Sequence, residues 1–211
     1  MTDINWKEIE EKLRRALDDY RFRHTLGVAY TAAALAMSHG ADVEKARLAG
    51  LLHDCAKGIK GQERIALCEK NGIDITPTER ENTSLLHSKL GVLFASDLYG
   101  INDPEILGAI RWHTTGRPEM STLEKIVYIA DLIEPNRDEM MTIAPEIRTL
   151  AFKDLDLGCE AAMAESIRYL RSTDKTMDEN TVEAYNYYHK LAENRKISAI
   201  QSVCTKNADR L

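Results

Sequence analysis

Six residues whose side chains bind metal ions are spread along the first two thirds of the chain. They are His24, the adjacent pair His53 and Asp54, then His87, His113 and Asp131. Neutral imidazoles and carboxylates are ligands for transition metals, so four histidines and two aspartates suit one or two such ions. The set predicts a metal centre assembled from distant parts of the chain.

A histidine in a helical protein is more often a surface or core residue than a ligand, so no single member carries this prediction. Asp131 strengthens it, because its carboxylate interrupts the apolar segment VYIADLIEP and is costly to bury without a partner. His39 precedes Gly40 at a predicted helix end, and His189 lies among tyrosines. Neither of these two histidines is assigned as a ligand.

Basic and hydroxyl side chains near the proposed ligands are candidates for binding phosphate. Lys57 stands three residues after Asp54, about one helical turn further on. An arginine fork also fits two phosphate oxygens at once. The candidate substrate-binding residues are Lys57, Thr114, Thr115, Arg117 and Arg137. Each has an ordinary surface role as its alternative. Arg21, Arg23 and Trp112 are candidates for stacking on a base.

The elements that must position these residues are predicted to be helices. Apolar residues recur at helical spacing, and the alternating pattern of half-buried strands is missing, which predicts an all-α fold. Helix ends are marked by Gly40 and by Ser121 and Glu124, which have the spacing of a capping box.

Three of the predicted helices bear on the site and its surroundings. The third helix of the chain is expected to extend to about Ala56 and so to contain the His-Asp pair. One long amphipathic helix is expected from Pro145 to about Arg171, and a final helix from Thr181 to about Ile200.

Composition narrows the classes of protein that remain. The chain has 211 residues, of which 44% are hydrophobic, enough for one substantial core. Its formal charge of −6 does not favour nucleic acid as a partner. No apolar run is long enough to span a bilayer, and the first residues do not have the pattern of a signal peptide. The four cysteines lack C-x-x-C spacing, so we expect reduced thiols in a cytoplasmic protein; a homodimer is left open.

The order His, His-Asp, His, His, Asp, with HDCAK at residues 53–57, resembles the HD-domain phosphohydrolase superfamily. Within it, the chain is most similar to the YqeK-type symmetrical bis(5′-nucleosyl)-tetraphosphatases. The segments that carry this resemblance are residues 21–36, 49–59, 87–101 and 111–139. Its most specific part is HTTGRP followed by ADLIEPNR.

The resemblance implies a fold and a division of the chain. The fold is expected to be a single compact HD-domain helical bundle with a C-terminal helical extension. Residues 1–20 would form an N-terminal helix packed on the core, residues 21–140 the metal-dependent core, and residues 141–205 the C-terminal helices of the same domain.

The resemblance also implies a di-iron hydrolase that uses metal-activated water to cleave diadenosine tetraphosphate into two ADP. The ligands implied are His24, His53, Asp54 and Asp131 for one ion, and His87 and His113 for the second, with Asp54 bridging. The ligand types suit manganese or zinc as well as iron. Asp54 and Lys57 are the expected catalytic residues, and a dinucleoside polyphosphate or another nucleotide is the expected partner.

Other readings remain open at this point. A related phosphohydrolase could act on a nucleoside phosphate or a cyclic dinucleotide with the same metal site and a different pocket. A nucleotide-binding regulator would keep the fold without turnover, but a lost ligand would be its expected mark. A structural helical protein would make the order of the histidines a coincidence.

Overall fold

The computed structural model describes residues 4–137, 143–173 and 176–208, with side chains up to residue 195. This part of the chain contains α-helices and no strand, which confirms the predicted all-α class. A short 3₁₀ turn, Thr83–Leu85, precedes the sixth helix. The helices are α1 Trp6–Ala16, α2 Asp19–His39, α3 Val43–Leu52, α4 Gln62–Lys70, α5 Pro77–Glu81, α6 Leu86–Asp97, α7 Pro104–Trp112, α8 Thr122–Ile133, α9 Ala144–Ala151, α10 Leu155–Ser172 and α11 Glu179–Ala208.

Local capping chemistry fixes several helix ends where the sequence predicts them. Ser121 and Glu124 form the capping box of α8, in which each side chain accepts from the other residue's backbone amide. Gly40 ends α2 with a φ of 64°, a left-handed conformation that costs glycine little. These contacts involve residues close in sequence, which is why the sequence predicts them well.

Three predicted helices have other bounds in the structure: the third helix, the long helix after Pro145 and the final helix. α3 ends at Leu52, and the following residues form tight turns that end at Gly58. Gly58 lies against the carbonyl oxygen of Ala16 at the end of α1, a close approach that a Cβ would prevent. The His-Asp pair therefore lies in a turn, which frees its two side chains from helical spacing.

The long helix predicted from Pro145 to Arg171 is divided in two. α9 ends at Ala151, and Asp154 caps a new helix by accepting from the amides of Asp156 and Leu157 at 2.9 and 3.1 Å. α9 and α10 then cross closely, because Gly158 brings its backbone against Ala151. The final helix covers Glu179–Ala208 and so exceeds its predicted span at both ends.

Helix α2 lies at the centre of the fold, between α3 and α8. Small side chains, including Ala29 and Ala32, form part of its buried surface, and a Cβ on Gly50 of α3 would lie 2.9 Å from the Ala29 Cα. This close crossing brings the end of α3 against the start of α2. Polar residues at these helix ends are thereby carried into the core.

The C-terminal helices pack on this core. α10 lies against α8, and α11 lies against α10. The buried Tyr188 of α11 accepts a hydrogen bond from the Met120 amide at 3.0 Å, which ties the last helix to the loop before α8. The division of the chain at residues 20, 140 and 205 stays a prediction. Among the described residues, no helix combines the length and apolar character that crossing a membrane requires.

Candidate metal centre

The structure brings all six predicted ligands together between α2, α3, α6, α7 and α8. The four histidines and Asp54 are buried, and the Asp131 side chain is 21% exposed. Adjacent imidazole rings meet edge to face, with centroid distances of 5.4 Å for His24–His53 and 4.9 Å for His53–His113 and His87–His113. Residues separated by up to 107 positions thus form one continuous cluster.

Each of the four imidazoles has its Nδ1 atom on a fixed acceptor. The acceptors are Glu134 Oε1 for His24 at 3.0 Å, and the carbonyl oxygens of Gly50, Ser84 and Ile110 for His53, His87 and His113 at 2.7, 2.5 and 2.7 Å. A carbonyl oxygen can only accept, so Nδ1 carries the hydrogen in those three rings. Their Nε2 lone pairs consequently face the centre of the cluster, which is the arrangement of a metal-binding histidine.

Helix ends explain why this arrangement forms. His53 and His113 directly follow the last residues of α3 and α7, where carbonyl groups of the final turn lack an amide partner. Each imidazole donates a hydrogen bond from Nδ1 to one such carbonyl, three residues before it in the chain. The same contact that completes the helix end also fixes the direction of the ring.

The carboxylates lie within reach of these nitrogens. Asp131 Oδ1 is 3.0 Å from His24 Nε2 and 3.7 Å from His53 Nε2. Asp54 Oδ1 is 3.1 Å from His87 Nε2 and 3.6 Å from His113 Nε2. Two groups have ligand atoms within 4.8 Å of one another, namely His24 with His53 and Asp131, and His53 with Asp54 and His113.

Several of these atoms lack a hydrogen-bond partner, which is the test of whether the cluster suits a cation. His24 Nε2, His53 Nε2 and Asp54 Oδ1 are buried and unpartnered despite the short distances around them. The Nε2 atoms of His87 and His113 also face each other at 3.0 Å. Buried polar atoms are normally satisfied, and facing lone pairs repel, so a positive charge among them would stabilise the cluster. The donor set of imidazoles and carboxylates fits divalent metal ions.

Cations of the chain border the two carboxylates. Arg21 Nη1 lies 2.8 Å from Asp54 Oδ2, and Arg137 Nη1 lies 2.8 Å from Asp131 Oδ1. Burial alone would raise the pKa of each aspartate, but Lys57 and the imidazoles at Asp54, and Arg137 and His24 at Asp131, hold it well below its usual range. Both carboxylates are therefore ionised, as metal ligands must be.

The surroundings lower the pKa of two of the imidazoles and raise the pKa of a third. Burial lowers the pKa of His53 to about 3, and burial with Lys57 nearby lowers the pKa of His87 to about 4. Burial also acts to lower the pKa of His24, but Asp131 and Glu134 outweigh it and raise the pKa to about 9. A cation at His24 would displace that proton.

Glu134 holds His24 from behind. It is 1% exposed, and its Oε2 accepts from the Asn136 amide at 2.7 Å while its Oε1 faces His24 Nδ1. Gly27, one turn after His24 in α2, provides the room, because a Cβ there would overlap Glu134 Oε2. An alanine at position 27 would force this carboxylate to move away from its present position.

A cavity of about 350 Å³ opens directly onto Asp54, His87, His113 and Asp131. Residues of α10 and α11, among them Tyr169, complete its wall together with Thr176 and Asp178. Lys57, Thr114 and Arg137 line it as predicted binding residues, and the roles assigned to them stay predictions. Thr114 Oγ1 lies 3.1 Å from His87 Nε2 and 3.0 Å from His113 Nε2.

The structure does not bring Thr115 and Arg117 to this cavity. The Thr115 hydroxyl donates to the carbonyl of Gly116 at 3.0 Å. The Arg117 guanidinium is paired with the buried Glu124, with Nη2 2.8 Å from Oε2, and also donates to the Pro118 carbonyl at 3.2 Å. The contacts of both residues stabilise the loop before α8 rather than face a substrate.

The three candidates for stacking on a base make contacts within the protein instead. Arg21 lines the cavity, but its guanidinium is held by Asp54. Arg23 donates to the carbonyl of Asp19 at 3.3 Å, and Trp112 lies under the guanidinium of Arg111 at 4.3 Å. Neither of these two lines the cavity.

Several cavity residues were not found from the sequence. They are Tyr20, Asn82, Leu85, Tyr128, Leu132, Ser166, Tyr169, Leu170, Thr176, Asp178 and Thr181. Most have no motif around them, and those after residue 160 reach the site only through the packing of α10 and α11. Asp178 is recognisable from the sequence only as a helix cap, which predicts a helix start and not a place in the cavity.

The helical fold and the buried histidine–aspartate cluster agree with a match to a protein family. The model of the HD domain matches residues 21–136, which is more than half of the chain. That span contains all six clustered residues, while α9, α10 and α11 lie beyond it.

Two curated relatives extend the likeness. A protein of Halalkalibacterium halodurans named "Bis(5′-nucleosyl)-tetraphosphatase, symmetrical" is 40% identical over 81% of this chain and 89% of its own length. A protein of the same name from Bacillus subtilis is 33% identical over 87% of this chain and 97% of its own length.

A solved structure is similar as well. The crystal structure of an HD superfamily hydrolase from Clostridium acetobutylicum, described as involved in NAD metabolism, has a TM-score of 0.84 and 39% sequence identity. The match covers 88% of this chain and 97% of that one. This chain therefore belongs to the HD-domain family and, within it, to the symmetrical bis(5′-nucleosyl)-tetraphosphatases. It is an enzyme of the hydrolase class.

Proposed function

We propose that this enzyme cleaves diadenosine tetraphosphate symmetrically and releases two ADP. The names of its relatives suggest the substrate. The observation that carries the proposal is the cluster itself, where buried, unpartnered atoms of His24, His53 and Asp54 point to one centre beside a cavity. A polyanionic substrate fits that cavity, because basic side chains border it even though the whole chain is acidic.

We infer two divalent ions, with iron first and manganese or zinc as alternatives. His24, His53, Asp54 and Asp131 would hold one ion, and His87 and His113 the other, with Asp54 shared. When bound, such ions supply positive charge for phosphate oxygens and an activated water. The position of Asp54 supports this division, because its Oδ1 lies 3.1 Å from His87 Nε2 and 3.6 Å from His113 Nε2 while its Oδ2 lies 3.6 Å from His53 Nε2.

The remaining residues of the cavity orient and bind the substrate. Lys57 Nζ lies 3.5 Å from Asp54 Oδ1 and 3.0 Å from His87 Nε2, so its ammonium group can turn toward a phosphate oxygen beside the cluster. Arg137 and Arg21 bring two more cations to the same rim. The Thr114 hydroxyl can donate a hydrogen bond there. Together these groups would hold the inner phosphates and stabilise the leaving diphosphate.

No protein nucleophile is needed in this mechanism, and the thiol nearest the centre is unsuited to be one. Burial and the charge of Asp54 raise the pKa of Cys55 above its usual value, so it stays a thiol. Its sulfur donates to the carbonyl of Gly91 at 3.5 Å. The free, buried thiols Cys55, Cys68 and Cys159 also support our placement of the enzyme in the cytoplasm. The homodimer stays a prediction.

The decisive experiment is the separation of the products of metal-loaded enzyme and diadenosine tetraphosphate. We expect two ADP for each substrate consumed. AMP with ATP would indicate asymmetric cleavage, and an unchanged substrate would direct attention to a nucleoside phosphate, a cyclic dinucleotide or a regulator. Metal analysis of protein purified without oxygen should find more than one ion per chain, and a ratio near zero would contradict the metal centre.

Replacing Lys57 with alanine should lower turnover about tenfold and leave the metal content unchanged. The ammonium group touches the cluster but is not one of the proposed ligands, so its loss removes a phosphate contact and no metal ligand. Steady-state kinetics and metal analysis on the same preparation test this. Lys153→Ala, a change of the same size at an exposed lysine, is the control. Equal rates for wild type and Lys57→Ala would remove Lys57 from the mechanism.

A further inference from the structure

A second pocket of about 490 Å³ lies next to the metal centre, where the turn after α3 meets the end of α1. Four cations and one acid line it, namely Arg21, Lys57, Lys60, Arg64 and Asp18. Arg21 and Lys57 also line the cavity at the cluster, so the two spaces meet at these side chains. A phosphate chain bound at the metal centre could continue past them.

Two of the cations lack a carboxylate partner among the described residues. Arg64 is only 6% exposed, and no acid lies within ion-pair distance of it in the described part of the chain. Its Nη1 and Nη2 atoms donate to the carbonyls of Thr83 and Lys57 at 3.2 Å each, which fixes the guanidinium, while Nε is buried without a partner. A buried charge without a counter-ion is costly, so an anion in this pocket would stabilise Arg64.

Lys60 has a different environment. It is exposed at the rim, and no ion pair or hydrogen bond to another described residue engages it. The pocket is thus built from a fixed inner cation and a free outer one. Its lining contains no aromatic side chain, so it suits phosphate and offers no platform for a base.

We propose that this pocket binds phosphates of the nucleotide half that leaves the metal centre, an inference that rests on the proposed function. A symmetrical substrate has two nucleoside diphosphate halves. The first cavity, at about 350 Å³, is near the lower limit for a drug-sized ligand and suits one half. The aromatic rings of Tyr20 and Tyr169 line only that cavity. One half is therefore recognised through its base, and the other through its charge.

The test compares two variants. Lys60→Glu reverses the charge at the rim of the pocket, and Lys70→Glu makes the same change at the exposed C-terminal end of α4. Lys70 does not line the pocket, so it controls for the altered net charge. Calorimetry with inorganic tripolyphosphate at low salt should show about fivefold weaker binding to Lys60→Glu, the scale expected of one exposed charge. Lys70→Glu should bind as the wild type does.

Kinetics with diadenosine tetraphosphate assign the ligand to the leaving half. Lys60→Glu should raise KM by a similar factor while kcat and metal content stay as in the wild type. Equal tripolyphosphate affinity in Lys60→Glu and wild type would overturn the pocket, as would equal losses in both variants. Weaker tripolyphosphate binding with an unchanged KM would show a site for free polyphosphate and overturn the assignment to substrate. If the wild type released no ADP, the proposed function would fail, and the calorimetry would still decide whether the pocket binds phosphate.

Discussion

Asp54→Asn is expected to reduce the hydrolysis of diadenosine tetraphosphate about a thousandfold or more and to lower the metal content. The reason is the position of this carboxylate. Oδ1 is buried without a hydrogen bond and lies among His87, His113 and Lys57, and Oδ2 lies beside Arg21. Asparagine keeps the shape but removes the charge that a pair of cations would share.

The measurements are turnover, metal content and circular dichroism on one preparation. Asp97→Asn makes the same substitution at an exposed acid on α6 and should leave all three unchanged. A helical spectrum that persists in Asp54→Asn would separate a lost site from a lost fold. Hydrolysis at the wild-type rate in Asp54→Asn would contradict the shared position of Asp54 and the metal centre with it.

The convergence of the six ligands could be predicted because the sequence leaves them few alternatives. Asp131 lies in the last turn of α8, within the otherwise apolar residues 126–133, and an acid there needs a partner inside the protein. His24, His53 and His87 are likewise set among residues that must face a core. Polar side chains that are buried among apolar neighbours need partners, which favours their meeting in one cluster.

The exact course of the chain around His53 and Asp54 could not be predicted in the same way. Their helix propensity continues that of α3, and the close approach of Gly58 to the Ala16 carbonyl, which accompanies the turn, joins segments that are distant in the sequence.

The break between α9 and α10 is different, because its contacts are local. Asp154 caps α10 through the amides of Asp156 and Leu157, and Gly158 packs on Ala151. The sequence carries this signal, and the prediction of one long helix overlooks it.

The predicted substrate contacts illustrate a second limit. The sequence predicts Arg117 as a phosphate ligand, because this arginine follows His113 in a loop that contains a glycine. In the structure the guanidinium of Arg117 pairs instead with Glu124, the buried residue that also forms the capping box with Ser121. Arg137 by contrast reaches Asp131. The sequence shows which cations are near the site, while the partner of each one depends on which acid is buried closest to it.

Gly27→Ala is the second substitution with a large expected effect. The sign of the change in stability shows whether steric overlap or helix propensity dominates at this position. Alanine favours a helix interior over glycine by about 1 kcal/mol, so propensity alone would stabilise the protein. A Cβ at position 27, however, would overlap Glu134 Oε2 and lie 2.9 Å from Glu134 Cδ. We expect the substitution to lower the melting temperature and, by releasing His24, to weaken metal binding about tenfold to a hundredfold.

Thermal unfolding of the metal-free protein and calorimetric titration with manganese measure the two effects separately. A double-mutant cycle with Glu134→Ala then isolates the contact. Glu134→Ala removes the carboxylate that the new methyl group would strike, so Gly27→Ala should cost little stability in that background. It should cause no further loss of metal affinity either, since His24 has already lost its anchor. Losses that simply add in the double mutant, or a Gly27→Ala protein that is more stable than wild type with unchanged metal affinity, would show that Gly27 does not make room for Glu134 behind His24.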